Sequence, residues 1–173
     1  MPGKSKPIVD GLWNEHVTQE NYASKEKYQD SVLVQYKLYV EMADRISARR
    51  NLANTFFLTL HTFILGASGF LYEKGPELSN KNVLVIPFLA LLALCFAWWR
   101  LVKSYRQINS AKFKVIGEFE TRLPTSPWWL AEWKALGEGK DPKLYRPLTV
   151  VENWVPLIFA LLYGVGLAFL FVS

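Results

Sequence analysis

The chain has 173 residues, of which 51% are hydrophobic, 15% aromatic and only 20% charged, with a formal charge of +5. Residues 52–72 and 154–173 contain no Asp, Glu, Lys or Arg, and residues 83–99 are free of charge up to Arg100. Three such runs in so short a chain exclude an ordinary soluble enzyme, because about 20 apolar residues cross a bilayer core as a helix.

Residues 1–27 are polar and are expected to be loop or partly disordered. No apolar stretch follows the first basic residues, so no cleavable leader is expected. A helical pattern then occupies residues 28–50. Val32, Tyr36, Tyr39, Ala43 and Ile46 recur at alternating steps of four and three, the seam of a heptad. That seam suits either the protein's own core or a neighbouring subunit. No Pro or Gly interrupts residues 28–57, so the helix should run directly into a first span at 51–72.

The first span sorts its side chains by polarity. At 100° per residue, with Asn54 at zero, His61 falls near about 340°, Ser68 near about 320°, Thr62 near about 80° and Thr55 near about 100°. Phe56, Phe57, Leu60, Phe63, Ile64 and Ala67 take the other half. A helix alone in lipid has no reason to sort this way, so the half bearing Asn54, Thr55, His61, Thr62 and Ser68 should face protein or water. It would serve either interhelical packing or the lining of an axis.

Residues 73–82 form an external loop, broken by Gly75 and Pro76. The second span, 83–102, carries Pro87 and is lengthened by Arg100 and Lys103, whose side chains can reach the interface. Its helical spacing continues to about Arg122, so residues 103–153 read as a cytoplasmic helical region. Within it, Ser126-Pro127 fits the N-cap and first position of a short helix reaching Leu136. That helix holds Trp128, Trp129 and Trp133, as interfacial anchors or as core aromatics of the cytoplasmic layer. The third span, 154–173, contains twelve strongly apolar residues, which contribute on the order of −4 to −7 kcal/mol to insertion. Ala160, Gly164 and Ala168 form a small-residue stripe along it that would admit a close neighbour, and Ala90, Ala93 and Ala97 resemble one on the second span.

Cations flank the first hairpin. Arg45, Arg49 and Arg50 precede the first span, and Arg100, Lys103 and Arg106 follow the second. The positive-inside rule places both large polar segments in the cytoplasm, and the short loop and the C-terminus outside. The basic residues are interleaved with acids and accompany no recognition motif, so nucleic acid is not an expected partner.

Catalytic signatures are absent. There is no P-loop, dinucleotide turn, nucleophile elbow or His-Glu-x-x-His. Cys95 is the lone cysteine, His16 and His61 are far apart, and Glu118 and Glu120 should point to different sides of their helix. No cofactor, metal or enzymatic activity is expected.

Residues 36–58 (Tyr-Lys-Leu-Tyr-Val-Glu-Met-Ala-Asp-Arg onward), 111–124 and 149–156 resemble the RipA-family octameric membrane proteins of bacteria. The likeness runs from about Tyr28 to the C-terminus. The Arg-Arg-x-x-x-Asn-Thr-Phe-Phe passage is also similar to two-span effector domains of bacterial nucleotide-signalling systems. The first resemblance implies a bacterial inner-membrane homo-oligomer of eight copies, and names no active-site residue. The expected fold is therefore all-α, with three transmembrane helices, the first two extended into a cytoplasmic helical layer. The expected function is that of a homo-oligomeric scaffold or interaction protein in the lipid bilayer. The alternative is a channel or membrane-disrupting effector lined by the polar half of the first span. A lipid-modifying enzyme would need a polar catalytic set that the sequence lacks.

Overall fold

The computed structural model describes residues 9–74, 82–145 and 148–172, and among these there are helices and turns but no strand. Three long helices dominate: α1, Lys25–Lys74; α2, Asn82–Glu120; and α3, Leu148–Val172. The external loop expected at 73–82 lies mostly outside the described residues. α1 starts a little before the expected residue 28, because the Ser24 hydroxyl accepts the Lys27 backbone N–H at 3.3 Å and caps the first turn. α3 also begins early. Its first turns include Glu152 and Asn153, which the apolar window had left in the preceding polar region. Helix formation does not need hydrophobicity, and Pro156 removes only one backbone bond from an otherwise uninterrupted run.

The stretches Leu84–Glu120 and Val150–Val172 are long and apolar enough to cross a membrane, each containing 18 consecutive residues with a mean hydropathy of 2.1 and 2.5 respectively. Among the described residues, α1 is not one of these two helices, and its apolar run is interrupted by Asn54, Thr55, Thr59, His61, Thr62 and Ser68.

The chain divides into two compact units, Met1–Ser47 with Gln107–Arg146, and Ala48–Arg106 with Pro147–Ser173. In the first unit the heptad seam of α1 packs on the protein's own α2. Val32 and Ala43 are buried, as are Ile116 and Phe119, and the rings of Tyr36 and Tyr39 lie 6.5 and 6.1 Å from that of Phe119. Trp13 adds an edge-to-face contact to the same ring at 5.5 Å.

After α2 the short helix expected from Ser126-Pro127 starts where the sequence places it, with Ser126 as N-cap and Pro127 in the first turn, but its first six residues, Pro127–Glu132, are wound wide. The Ala131 N–H reaches back to the Ser126 carbonyl at 3.1 Å, a wide i→i+5 turn, and only Trp133–Ala135 is α-helical. The Ser126 side chain makes no cap hydrogen bond, and its hydroxyl donates to Glu120 at 2.7 Å. Nor do the three tryptophans form a core. Trp128, Trp129 and Trp133 keep 39%, 41% and 38% of their surface exposed. Gly117 permits the turn to dock, since a Cβ there would lie 2.6 Å from the Trp129 ring.

In the second unit α2 buries Leu91, Cys95, Trp98 and Val102, again at heptad spacing, against Phe57 of α1 and Tyr163 of α3. Phe159 packs on both groups. Ala90, Ala93 and Ala97 point outward, so larger residues rather than alanines make this seam. On α3 the tight approach falls at Gly166, where a Cβ would meet Phe88 at 2.7 Å, whereas Gly164 has nothing within 4 Å. Ala160 packs beside Tyr163, and Ala168 is exposed.

Candidate functional site

In the second unit a polar side chain, His61 of α1, is buried to 1% exposure. Its imidazole lies among three aromatic rings, near-parallel to Tyr163 at 5.5 Å, stacked on Phe159 at 5.6 Å and tilted against Trp98 at 5.8 Å. Nδ1 shares a hydrogen bond with the Tyr163 hydroxyl at 3.1 Å, the donor being set by the imidazole tautomer. Nε2 faces the Cys95 sulfur at 3.9 Å. Two turns earlier on α1, the Asn54 carbonyl accepts the Trp98 indole N–H at 2.8 Å. One hydrogen bond therefore ties α1 to α2 and the other ties α1 to α3. Phe57 stacks on Trp98 between them at 5.6 Å, with 6° between the planes.

The other polar residues of α1 are handled locally. Thr55, Thr62 and Ser68 donate to the carbonyls of Asn51, Leu58 and Ile64 at 3.1, 2.9 and 2.7 Å. Both threonines are exposed. The polar half thus contains two kinds of group: amide and imidazole groups with partners on other helices, and hydroxyls that bond back to their own helix.

The flanking cations diverge in use. Arg45 pairs with Glu41 one turn away at 2.7 Å, and both are well exposed. Arg50 lies 3.1 Å from the Glu152 carboxylate on α3, with their side chains only 11% and 20% exposed. Lys103 sits over the Trp99 ring at 5.1 Å, and Arg49, Arg100 and Arg106 are exposed. Among the described residues no group of three or more His, Cys, Asp or Glu is placed to hold a metal ion.

A second polar centre lies in the first unit. Glu120, 2% exposed, accepts four hydrogen bonds: from the Tyr36 hydroxyl at 3.1 Å, the Ser126 hydroxyl at 2.7 Å, and the backbone N–H groups of Trp128 and Trp129 at 3.2 and 2.9 Å. A carboxylate saturated by donors needs no cation beside it. Burial, and then the bond to Glu120, push the Tyr36 phenol up to about 12. Because its folded-state value is raised, its contribution to stability is complete below about pH 10 and is lost as the pH rises toward about 12. An alkaline absorbance titration of Tyr36→Phe against the unmodified protein should therefore lack a late-ionising phenol. Loss of an ordinary phenol near pH 10 instead would contradict the contact with Glu120.

Sequence reasoning overlooked Glu120 because its donors follow an irregular turn with no periodic signal. It also overlooked Trp98 and Tyr163 as partners, although each carries a polar handle in an apolar run that calls for one.

A family model described as the octameric membrane protein family (8xMP) matches residues 33–172. The chain belongs to this family. It is thus an oligomeric membrane protein, in keeping with the octameric resemblance of its sequence and with two helices apolar enough to span a bilayer. No curated protein and no solved structure matches it significantly. The matched region takes in the His61 cluster and the Glu120 centre.

Proposed function

We propose that this 8xMP chain is a homo-oligomeric scaffold or interaction protein of a bacterial inner membrane, without enzymatic activity, and that it spans the bilayer three times. The observation that carries this reading is the use made of Asn54 and His61, whose hydrogen bonds go to Trp98 and Tyr163 of the same chain. Polar groups consumed within one chain support packing rather than transport or chemistry. The same pairing supports α1 as the third spanning helix, since it covers the groups most costly to leave in hydrocarbon while Phe56 and Phe63 stay 59% and 70% exposed. The clustered cations support a cytoplasmic N-terminus and a periplasmic C-terminus.

Two measurements test the reading. Protein reconstituted in liposomes should pass no more ions than empty vesicles do. A reporter active only in the periplasm should work when fused to the C-terminus, and cytoplasmic activity of that fusion would sink the three-span arrangement. The rival reading, a channel or membrane-disrupting effector, rests on exposed Thr55 and Thr62, which place hydroxyls on the outer surface of α1. Sustained flux would favour it.

A further inference from the structure

Among the described residues of the first unit, two groups of neighbouring apolar side chains stand exposed. One is a stripe on α1, Val34, Leu38 and Met42, exposed by 63%, 57% and 43%. It lies about 120° around the helix from the buried Val32–Ala43 seam. The other is the tryptophan turn, where Trp128, Trp129, Leu130 and Trp133 are 39%, 41%, 49% and 38% exposed.

Neither surface suits the hydrocarbon core of a bilayer. The α1 stripe is interleaved with Lys37, Glu41 and Arg45, and the exposed Glu41–Arg45 ion pair sits beside Leu38 and Met42. The tryptophan turn carries exposed Glu132 and Lys134 within the same few residues. An apolar centre with charges of both signs at its edge is instead the make-up of a protein interface, and Trp and Met are among the residues such interfaces favour. The turn is also held in advance. Glu120 fixes the backbone N–H groups of Trp128 and Trp129, so little ordering is left to be done on docking.

The chain belongs to an octameric family, and a closed ring of identical subunits needs two different, complementary surfaces on each copy. We infer that the Val34/Leu38/Met42 stripe of one copy docks on the tryptophan turn of the next, head to tail around the ring. This rests on the oligomeric reading and goes beyond it by naming the surfaces and their order.

Leu38→Cys and Leu130→Cys test it in intact, detergent-solubilised protein with a short bifunctional thiol cross-linker. Both side chains are exposed, so neither change disturbs the core, and the natural Cys95 is buried. Chains carrying both changes should give a denaturation-resistant ladder ending at eight copies. Chains carrying either change alone should stay monomeric on the same gel, and a co-expressed mixture of the two single variants should stop at dimers. Dimers from either single variant alone would mean like surfaces meet, and would overturn the head-to-tail order. An octamer by native mass measurement with no ladder from the double variant would overturn the assigned surfaces while leaving the oligomeric reading intact. Absence of the octamer itself in the unmodified protein would remove the ground for both.

Discussion

Glu120→Ala is expected to lower the unfolding free energy by about 2–4 kcal/mol and to free the tryptophan turn, because hydrogen bonds to a charged group contribute about 1.5–3 kcal/mol each and part-buried donors left without this acceptor recover some of that from water. Four donors converge on this carboxylate. The hydroxyls of Tyr36 and Ser126 can rotate toward other acceptors, but the backbone N–H groups of Trp128 and Trp129 are fixed by the chain and have nowhere to turn. Glu120→Gln should fall between wild type and alanine, since it keeps the shape and one acceptor oxygen but presents an N–H₂ to groups that are themselves donors. Denaturant unfolding followed by tryptophan emission measures both effects, with the freed tryptophans shifting the native spectrum to longer wavelength. Gly117→Val offers an independent route to the same release, because its side chain would occupy the space now filled by the base of the Trp129 ring. A Glu120→Ala protein that unfolds like wild type with an unchanged spectrum would show that the carboxylate does not hold the turn.

The helices were legible in the sequence wherever a period was long. The alternation of Val32, Tyr36, Tyr39, Ala43 and Ile46 marks the face that α1 turns to α2, and three charge-free runs locate the apolar parts of all three helices. What the periodicity leaves undecided is the partner of a seam: a heptad says which face is buried, not against what. A stripe of small residues likewise says that a neighbour can come close, not which one. Ala160, Gly164 and Ala168 form a regular stripe, yet the close approach within the chain falls at Gly166, because the Phe88 side chain on α2 decides which glycine is needed. Ser before Pro marks the start of the tryptophan turn correctly but says nothing of its wide winding. Glu120, six residues earlier, accepts from that serine hydroxyl and from the backbone N–H groups of Trp128 and Trp129, and no spacing of residues announces it. The sorting of α1 into polar and aromatic halves was visible, and so was the special position of Asn54 and His61. Their partners were not, since Trp98 and Tyr163 lie in runs where an indole or phenol reads as one more apolar side chain. Phe57, on the aromatic half by angle, is buried against Trp98 because it lies at the edge of that half nearest Asn54.

His61→Leu is expected to cost about 2–3 kcal/mol, since the Tyr163 hydroxyl, in a residue only 4% exposed, would lose its hydrogen-bond partner in an apolar surrounding. Tyr163→Phe alone should cost about 1–2 kcal/mol, because it strands the His61 Nδ1 atom instead while preserving the ring contact. The double variant decides between a structural and a functional role for the pair. If the two groups serve only each other, removing both leaves no unsatisfied atom, and the double variant should be at least about 1 kcal/mol more stable than the sum of the single losses implies. Phe63→Leu, at a site 70% exposed, should change stability by less than about 0.5 kcal/mol and serves as the control for an α1 substitution that faces no protein partner in the chain. Thermal unfolding in one detergent, with all four proteins at equal concentration, gives the cycle, since assembly makes the midpoint depend on concentration. Additive losses would mean that His61 and Tyr163 do not interact. A strong coupling together with unaltered oligomer mass would assign the imidazole to the interior of each subunit, and a channel lined by α1 would then have to conduct without it.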